Sequence, residues 1–417
     1  MTSRERVLAS LAHTTPDRVP VDLGGTTVTG MHVSCVAALR KHLGLDRHPV
    51  KVVELMQMLG EIEDDLKDAL GVDTAAVARP ATKWGFPAAD WKPWRMPDGL
   101  EVLVPGQFNP TMDRNGDILL HPQGDTTASP SGRMPRDGYF FDSIIRQDPI
   151  DEQALDPEDN LEEFRPVPDA DFQVMRIAAE QARESGRAVI AAIGGTGFGD
   201  IANVPAPGLR HPKGIRDVAE WYMAIRLRRP YVYRVFERQA EIAVSNLERL
   251  NAALGDWIDI IYLCGTDFGT QTSSFCSEST FRELWYPHYK TLTEWIRKNT
   301  GWRIFKHSCG AVSKFIPAFL ELGIDILNPV QCSASGMDPH ELKRRFGDRI
   351  VYWGGGVDTQ KTLPFATPAE VRREALARLE AFAPGGGYVF NAVHNIQAQT
   401  PVENIMAFFG AVREYNG

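Results

Sequence analysis

The chain has 417 residues and carries 45 lysines and arginines against 54 aspartates and glutamates, a formal net charge of −9. An acidic chain of this kind is not expected to bind nucleic acid, because phosphate contacts need clustered positive charge. Hydrophobic residues make up 43% and charged residues 24%, which is typical of globular proteins. No apolar run approaches the roughly 20 residues of a membrane span, and no signal-like stretch follows Met1. We therefore expect a cytoplasmic globular protein.

Short apolar runs that end in Gly, Asp or His alternate with helical patterns along most of the chain. This alternation is typical of βα units around a parallel sheet. An open dinucleotide-binding sheet is disfavoured because no G-x-G-x-x-G opens a helix. Eight runs are present, the number that closes a (β/α)₈ TIM barrel: 19–25, 72–77, 188–195, 258–267, 303–310, 325–331, 350–356 and 388–395. The sequence thus predicts the α/β class, as one barrel domain over residues 1–417.

A segment rich in Pro, Gly, Asp and Trp separates the second predicted strand from the third. Residues 82–170 contain short apolar runs and many turn signals, which predict a β-rich insertion rather than another βα unit. Its aromatic side chains either form a small core of the insertion or line a substrate pocket. They are Trp84, Phe86, Trp91 and Trp94.

Two helices near the end of the chain have recognisable start signals. The sequences TPAE at 367–370 and TPVE at 400–403 each place a capping threonine, a proline at the first helical position and a glutamate that completes a capping box. Both are predicted to begin helices.

The cysteines are odd in number and sparse, so a disulfide framework is not indicated. His307 and Cys309 form an H-x-C pair at the end of the fifth predicted strand, and side chains two residues apart point to the same side. Cys332 lies about one βα unit further on, and His394 lies at the end of the eighth strand. Barrel closure brings these strand ends around one mouth. Imidazole and thiolate suit Zn²⁺, and three protein ligands with an exchangeable position are typical of a catalytic site.

Several of these residues have alternative roles. His394 is either a metal ligand or a residue that binds substrate or transfers protons. At the sixth strand, either Cys332 or Gln331 faces the mouth, and Gln331 would then be catalytic. The remaining cysteines are assigned to packing: Cys35, Cys264 and Cys276.

Two aspartates follow strand ends near glycines. Asp267, in the sequence TDFGTQ, either orients a ligand imidazole or binds substrate, and it is a candidate catalytic residue. Asp358 follows the glycines at 354–356, where the missing side chains let a ligand approach the backbone. Gln271 and Asp358 are therefore candidate cofactor-binding residues. The alternative for both aspartates is a plain turn.

The order of the motifs TDFGTQ, KHSCGAV, GIDILNPVQ, WGGGVDTQ and GGYVFNAVHNIQAQTP resembles the uroporphyrinogen decarboxylase superfamily. It resembles more closely the zinc-dependent methyltransferase branch, which serves corrinoid and coenzyme M systems. The resemblance implies a (β/α)₈ barrel. It also implies a zinc ion held by an H-x-C pair, matched by His307 and Cys309, and by a distant cysteine where this chain has His394. In the decarboxylase branch the equivalent strand carries a histidine, which His394 also matches.

One departure bears on the substrate. Uroporphyrinogen decarboxylases grip the carboxylates of their substrate with an Arg-rich N-terminal motif, and the corresponding segment 19–32 has no arginine. The resemblance therefore favours a zinc-dependent demethylase component. It would move a methyl group between a small methoxy or methylamine substrate, or a thiol, and a separate corrinoid protein, since the chain lacks the D-x-H-x-x-G cobalamin motif.

Two other functions remain open. One is a cofactor-free decarboxylase in which Asp267 and His394 handle protons, acting on a porphyrin or non-porphyrin carboxylate. The other is a non-enzymatic partner of a corrinoid protein. The sequence also leaves the oligomeric state open, with a homodimer among the alternatives.

Overall fold

The computed structural model describes residues 1–417, apart from the side chain of Cys264. The strands are β1 (Val52–Glu54), β2 (Leu59–Gly60), β3 (Thr74–Ala78), β4 (Lys92–Arg95), β5 (Glu101–Val104), β6 (Thr111–Met112), β7 (Ile118–Leu120), β8 (Gly132–Met134), β9 (Asp142–Ser143), β10 (Ala188–Ala192), β11 (Ile260–Cys264), β12 (Arg303–His307), β13 (Ile326–Asn328), β14 (Val351–Trp353) and β15 (Tyr388–Val389).

The α-helices are α1 (Ser3–Leu11), α2 (Val33–His42), α3 (Asp64–Leu70), α4 (Asp169–Glu184), α5 (Val218–Leu227), α6 (Arg229–Leu254), α7 (Glu278–Leu284), α8 (Tyr286–Asn299), α9 (Ile316–Glu321), α10 (Pro339–Phe346), α11 (Thr362–Phe365), α12 (Pro368–Phe382) and α13 (Val402–Asn416). Within the described residues, none of these helices combines the length and the apolar character that a membrane crossing needs.

Seven parallel strands form the centre of the fold, in the order β3, β10, β11, β12, β13, β14, β15. Val21 closes the sheet into a barrel. It forms a parallel bridge with Phe390, just after β15, and its carbonyl oxygen accepts a hydrogen bond from the amide of Asp73, just before β3. The prediction of a (β/α)₈ barrel is thus confirmed, with the first strand reduced to a single bridge.

The interior of the barrel is filled by alternate residues of the strands. Ile190, Phe305 and Trp353 belong to the inner apolar cluster, whereas neighbouring residues such as Val189 pack outward against the helices. This alternation follows from the two-residue repeat of a β-strand. Helix α1 inserts Val7 into the same inner cluster. The filled interior leaves only the loops beyond the strand ends to build a site.

The end of the barrel where the strands begin is held by buried ion pairs. The Asp73 carboxylate is fully buried and accepts hydrogen bonds from Arg6 at 2.6 Å and Arg18 at 3.0 Å. The nearly buried carboxylate of Asp259 accepts one from Arg4 at 2.9 Å. Each of these carboxylates thus has an arginine partner.

Between β3 and β10 the chain forms antiparallel structure, as the predicted β-rich insertion requires. Strands β4 and β5 form a hairpin, and β6 to β9 form a four-stranded sheet. Trp84 and Phe86 are buried, and the Trp84 ring contacts Phe141 edge-to-face with centroids 5.9 Å apart. These two aromatic residues therefore pack as core, one of the two alternatives. The boundaries 82–170 stay a prediction.

One of the two predicted capping boxes is present. Thr367 and Glu370 cap α12 reciprocally. The prediction at Thr400 is wrong: α13 begins at Val402, and the Thr400 hydroxyl donates instead to the Gln397 carbonyl at 2.8 Å. The tight turn before α13 takes the hydroxyl that a capping box would need.

Candidate metal centre

Three side chains from two loops of the barrel mouth present donor atoms to one point. They are His307, at the end of β12, Cys309, two residues later, and His394, which follows β15. Their ligand atoms all lie within 4.8 Å of one another. His307 Nε2 and Cys309 Sγ are 3.3 Å apart, and the two imidazole rings are 5.3 Å apart between centroids.

The loop that carries Cys309 is tied to the loop after β11. The Asp267 carboxylate accepts a hydrogen bond from the Cys309 amide at 2.7 Å, and the amide of Phe268 donates to the Ser308 hydroxyl at 2.9 Å. Gly310 has a φ of +83°, and a Cβ there would collide with the backbone of Gly269. Glycine is required because the two backbones pack directly on each other.

The tautomer of His307 is set by a buried amide. Asn328 is its register partner on β13 and donates through Nδ2 to the Trp353 carbonyl at 2.9 Å. The Asn328 Oδ1 atom therefore faces His307 Nδ1, at 2.6 Å, as an acceptor. Nδ1 must carry the proton, so the lone pair of Nε2 is directed toward Cys309. Outer hydrogen bonds of this kind commonly orient metal-binding histidines.

The protonation states suit metal binding. Burial lowers the pKa of His307 to about 3, and burial together with His307 lowers the pKa of His394 to about 3. Both imidazoles are thus neutral at pH 7 and can donate lone pairs. Burial and the Asp267 carboxylate raise the pKa of the Cys309 thiol, which would lose its proton when a metal binds.

The donor set fits zinc. At the usual Zn–N and Zn–S bond lengths, a nitrogen and a sulfur ligand of a tetrahedral zinc ion lie about 3.5 Å apart. The 3.3 Å separation of His307 Nε2 and Cys309 Sγ is close to this distance. A set of two nitrogens and one sulfur leaves a fourth position for another ligand, as in catalytic zinc sites.

A family comparison agrees with this arrangement. Residues 212–415, which include all three donors, match the family model described as Uroporphyrinogen decarboxylase (URO-D).

This match covers just under half of the chain and relates it to the uroporphyrinogen decarboxylase superfamily.

Curated relatives named uroporphyrinogen decarboxylase align over part of the chain. The protein from Psychromonas ingrahamii is 37% identical over 87 residues, which are 20% of this chain and 24% of the relative. The protein from Photobacterium profundum is 28% identical over 182 residues, 42% of this chain and 46% of the relative. The aligned segments thus span less than half the length of these relatives.

A solved structure resembles the whole chain. It is a methyltransferase from Methanosarcina mazei, which matches with a TM-score of 0.54 and 15% identity over 100% of both chains. At this identity the likeness shows a shared fold.

Cys332 does not join the three donors. Its thiol contacts the Val330 carbonyl at 3.5 Å and packs against the apolar core. Gln331 takes the position nearer the mouth, since its Oε1 accepts a hydrogen bond from the Gly310 amide at 2.9 Å. Strand β13 ends at Asn328, so the alternation of the strand no longer governs residues 331 and 332. Of the two alternatives, Gln331 is therefore the residue that faces the mouth, where it supports the loop of Cys309. The prediction that Cys332 is a metal ligand is corrected accordingly.

The candidate cofactor-binding residues lie on two loops that meet. Gln271 is exposed and donates to the Gln360 side chain at 3.0 Å. The Asp358 carboxylate accepts hydrogen bonds from the amides of Gln360 and Lys361 and so forms the turn before α11. The turn alternative is therefore present for Asp358, and a cofactor role for either residue stays a prediction.

Two of the other three cysteines are described, and both occupy packing positions. Cys35 is buried, and Cys276 is partly buried against the core. The side chain of Cys264 lies outside the described residues.

Sequence reasoning missed Asp200. This residue lies in the glycine-rich loop after β10, and its Oδ2 and the His307 Cδ2 atom are both 3.6 Å from the point where a Cβ of Gly265 would lie. Asp200 is therefore a neighbour of the donor set. The signal was an acidic residue that ends the sequence GGTGFGD, several residues beyond the strand end.

Proposed function

We propose that this protein is a zinc-dependent methyltransferase acting in the cytoplasm. It would move a methyl group between a small methoxy or methylamine substrate, or a thiol, and a separate corrinoid protein. The observation that carries the proposal is the convergence of His307 Nε2, Cys309 Sγ and the His394 imidazole within 4.8 Å. The Methanosarcina mazei methyltransferase, with the same fold, is consistent with this activity.

The residues of the chain have separate tasks in this proposal. His307, Cys309 and His394 would hold the metal, and Asn328 keeps His307 in the tautomer that can bind it. A zinc ion at this place would act as a Lewis acid that polarises the substrate oxygen, nitrogen or sulfur from which, or to which, the methyl group moves. Asp267 fixes the Cys309 backbone and lies 3.8 Å from His307 Nε2. It is thereby placed to contact a substrate or a bound water.

A polycarboxylate substrate is disfavoured by what the N-terminal segment does. Asp22 lies where an Arg-rich motif would be expected, and its buried carboxylate accepts hydrogen bonds from Thr74 at 2.6 Å and Trp353 at 2.8 Å. The segment thus adds an acidic group to the barrel interior. The segment supplies no cationic side chain to the carboxylates of a porphyrinogen.

The second candidate is a decarboxylase without a metal. It is favoured by one observation, that His394 and Asp267 are close enough to shift each other's proton affinity: the carboxylate opposes the lowering of the His394 pKa. An acid and a base in contact with one substrate are what proton transfer requires. The relatives named uroporphyrinogen decarboxylase agree with this alternative.

Metal analysis followed by an activity screen separates the two candidates. We expect about one zinc per chain after purification without chelators. We also expect methylation of cob(I)alamin by some member of a panel of methoxy and methylamine donors, measured by absorbance. A chelator should abolish this transfer, and added Zn²⁺ should restore it. Metal-free protein that releases CO₂ from a carboxylate substrate would favour the decarboxylase instead.

A further inference from the structure

Two acidic groups of the mouth lie beside the donor set. Asp200 and His307 approach the same face of Gly265, as described above, and the Asp267 carboxylate is 3.8 Å from His307 Nε2. Both carboxylates also act on Cys309, since each contributes to raising the pKa of its thiol. A molecule that binds beside these donors therefore lies within reach of two carboxylates.

Compensating charge is scarce at this place. Within the described residues, no arginine forms an ion pair with Asp200 or Asp267. Two lysines oppose the raised pKa of Asp200: Lys83, an exposed residue of the insertion, and Lys306, whose Nζ donates to the Thr266 carbonyl at 2.9 Å. Lys306 and His394 likewise oppose the raised pKa of Asp267, but His394 is neutral at pH 7. Burial dominates for both carboxylates and raises their pKa values.

An aromatic pair lies within electrostatic range of the same carboxylates. The rings of Tyr222 and Phe275 are stacked with centroids 5.1 Å apart. Burial raises the pKa of Tyr222 to about 12, and Asp267 and Asp200 add to the rise, which places the phenol within electrostatic reach of both. Aromatic faces attract cations, as carboxylates do. The two kinds of group therefore favour the same sort of ligand.

We propose that the small molecule that binds beside His307, Cys309 and His394 carries a positive charge, and that Asp200 is the residue that selects for it. The chemical class is a thiol or a methyl donor that bears an ammonium group near the sulfur, oxygen or nitrogen that gives or takes the methyl. The thiol and methyl-donor part rests on the proposed function. The preference for charge rests only on Asp200 and its surroundings.

The physical reason is the cost of a carboxylate that is partly removed from water. Removing a carboxylate from water destabilises its charged form unless a cation replaces the lost solvation. A cationic ligand would supply that charge, whereas a sulfonate or carboxylate would add repulsion. Asp267 is already engaged by the Cys309 amide, and the hydrogen bonds to Asp200 come from the Ala202 amide and the Asn203 side chain, both at 3.0 Å. Those bonds fix Asp200 in place without neutralising it.

Three two-carbon thiols test the charge preference on cobalt-substituted protein. Cysteamine, 2-mercaptoethanol and 2-mercaptoethanesulfonate carry positive, neutral and negative end groups. Each is titrated against the wild type and Asp200→Asn, and the thiolate-to-cobalt absorption band reports binding. For each thiol, the affinity of Asp200→Asn is divided by that of the wild type, so that differences in acidity between the thiols cancel. We expect Asp200→Asn to weaken cysteamine by about tenfold, to leave 2-mercaptoethanol unchanged and to strengthen the sulfonate.

Two further measurements keep the result decisive. Asp348→Asn makes the same chemical change at an exposed aspartate just before β14, at the opposite end of the barrel, and should alter none of the ratios. Metal-free protein is titrated with ethylamine by ligand-observed NMR, which needs neither metal nor thiol. Weaker ethylamine binding by Asp200→Asn supports the charge preference even if cobalt does not bind, an outcome that would overturn the proposed function alone. Equal ratios for the three thiols, or ethylamine binding that Asp200→Asn leaves unchanged, overturn the charge preference.

Discussion

The two ends of the barrel differ in how their carboxylates are paired. Where the strands begin, Asp73 and Asp259 are each paired with arginine side chains. Where the strands end, Asp200 and Asp267 have no arginine partner among the described residues, and burial raises their pKa values. Paired charges at the first end fix the structure. At the second end we propose instead that the carboxylates serve a ligand, which would separate stability from function along the axis of the barrel.

The largest expected effect is at the donor set. The double variant His307→Ala and Cys309→Ser removes two of three ligands, so we expect the protein to lose its zinc completely. Elemental analysis of the purified variant measures this, with Cys332→Ser as the matched control. An unchanged metal-to-protein ratio in the double variant, or loss of zinc from Cys332→Ser, would contradict the assigned site.

The ion pairs at the other end should matter for stability instead. Asp73→Asn leaves the buried Arg6 guanidinium without one of its two carboxylate partners, and breaking a buried pair costs about 3–5 kcal/mol. Thermal unfolding of the metal-free protein at pH 7 measures the loss.

Asp200→Asn provides the comparison for Asp73→Asn, because it makes the same change at a carboxylate without an arginine partner. We expect the midpoint of thermal unfolding of this variant to stay near that of the wild type. Equal losses in the two variants would show that the contrast between the ends has no energetic basis.

Replacing the side-chain amide that orients His307 should have a smaller effect, which appears as weaker metal binding. Asn328→Leu removes the acceptor for Nδ1, and changes to such outer partners typically weaken metal binding about 10–100-fold. Competition with a zinc chelator measures the affinity. Because Asn328 also supports the Trp353 carbonyl, Asn328→Asp, which keeps an acceptor for Nδ1, serves as the control and should retain more affinity than Asn328→Leu.

The smallest expected effect concerns pH. His288 packs among rings beneath the loop of Asp200, 5.9 Å from Phe198 between centroids, and burial lowers its pKa to about 4. Between pH 6.5 and 4 the unfolded chain therefore binds a proton that the folded chain does not, so His288 reduces stability as the pH falls. Relative to the wild type, His288→Phe should gain about 1–2 kcal/mol between pH 7 and pH 5. The same difference in unfolding free energy between His288→Phe and the wild type at both pH values would contradict this assignment.

The strand ends could be predicted from the sequence because apolar runs and barrel geometry restrict them strongly. His307 is the last residue of β12, and the other candidate residues lie within five residues of a strand end, so the rule that sites lie there pointed to them. They are Cys309, Asp267 and His394. The lengths of the strands could not be predicted in the same way. The length of a strand depends on where its neighbours pair with it, so the run 258–267 contains a strand of only five residues, Ile260–Cys264.

The rest of the site depends on long-range packing. Asp200 lies well beyond the end of β10, where the loop path decides its position. Asn328 gains its role from a neighbouring strand and from the Trp353 carbonyl, which no local pattern reveals. The choice between Gln331 and Cys332 required the point at which β13 ends. Thr400 failed as a cap because the preceding turn competes for its hydroxyl.

The seam at Val21 has a consequence for the centre. His307 ends β12, which pairs with strands on both sides, whereas His394 follows β15, which borders the seam. The loop of His394 is joined across the seam to the N-terminal segment, through a parallel bridge between Met31 and Ile396 and a hydrogen bond from the Gly30 amide to Asn395 Oδ1 at 2.6 Å. The position of the third donor thus depends on the N-terminal segment, as that of His307 depends on β13.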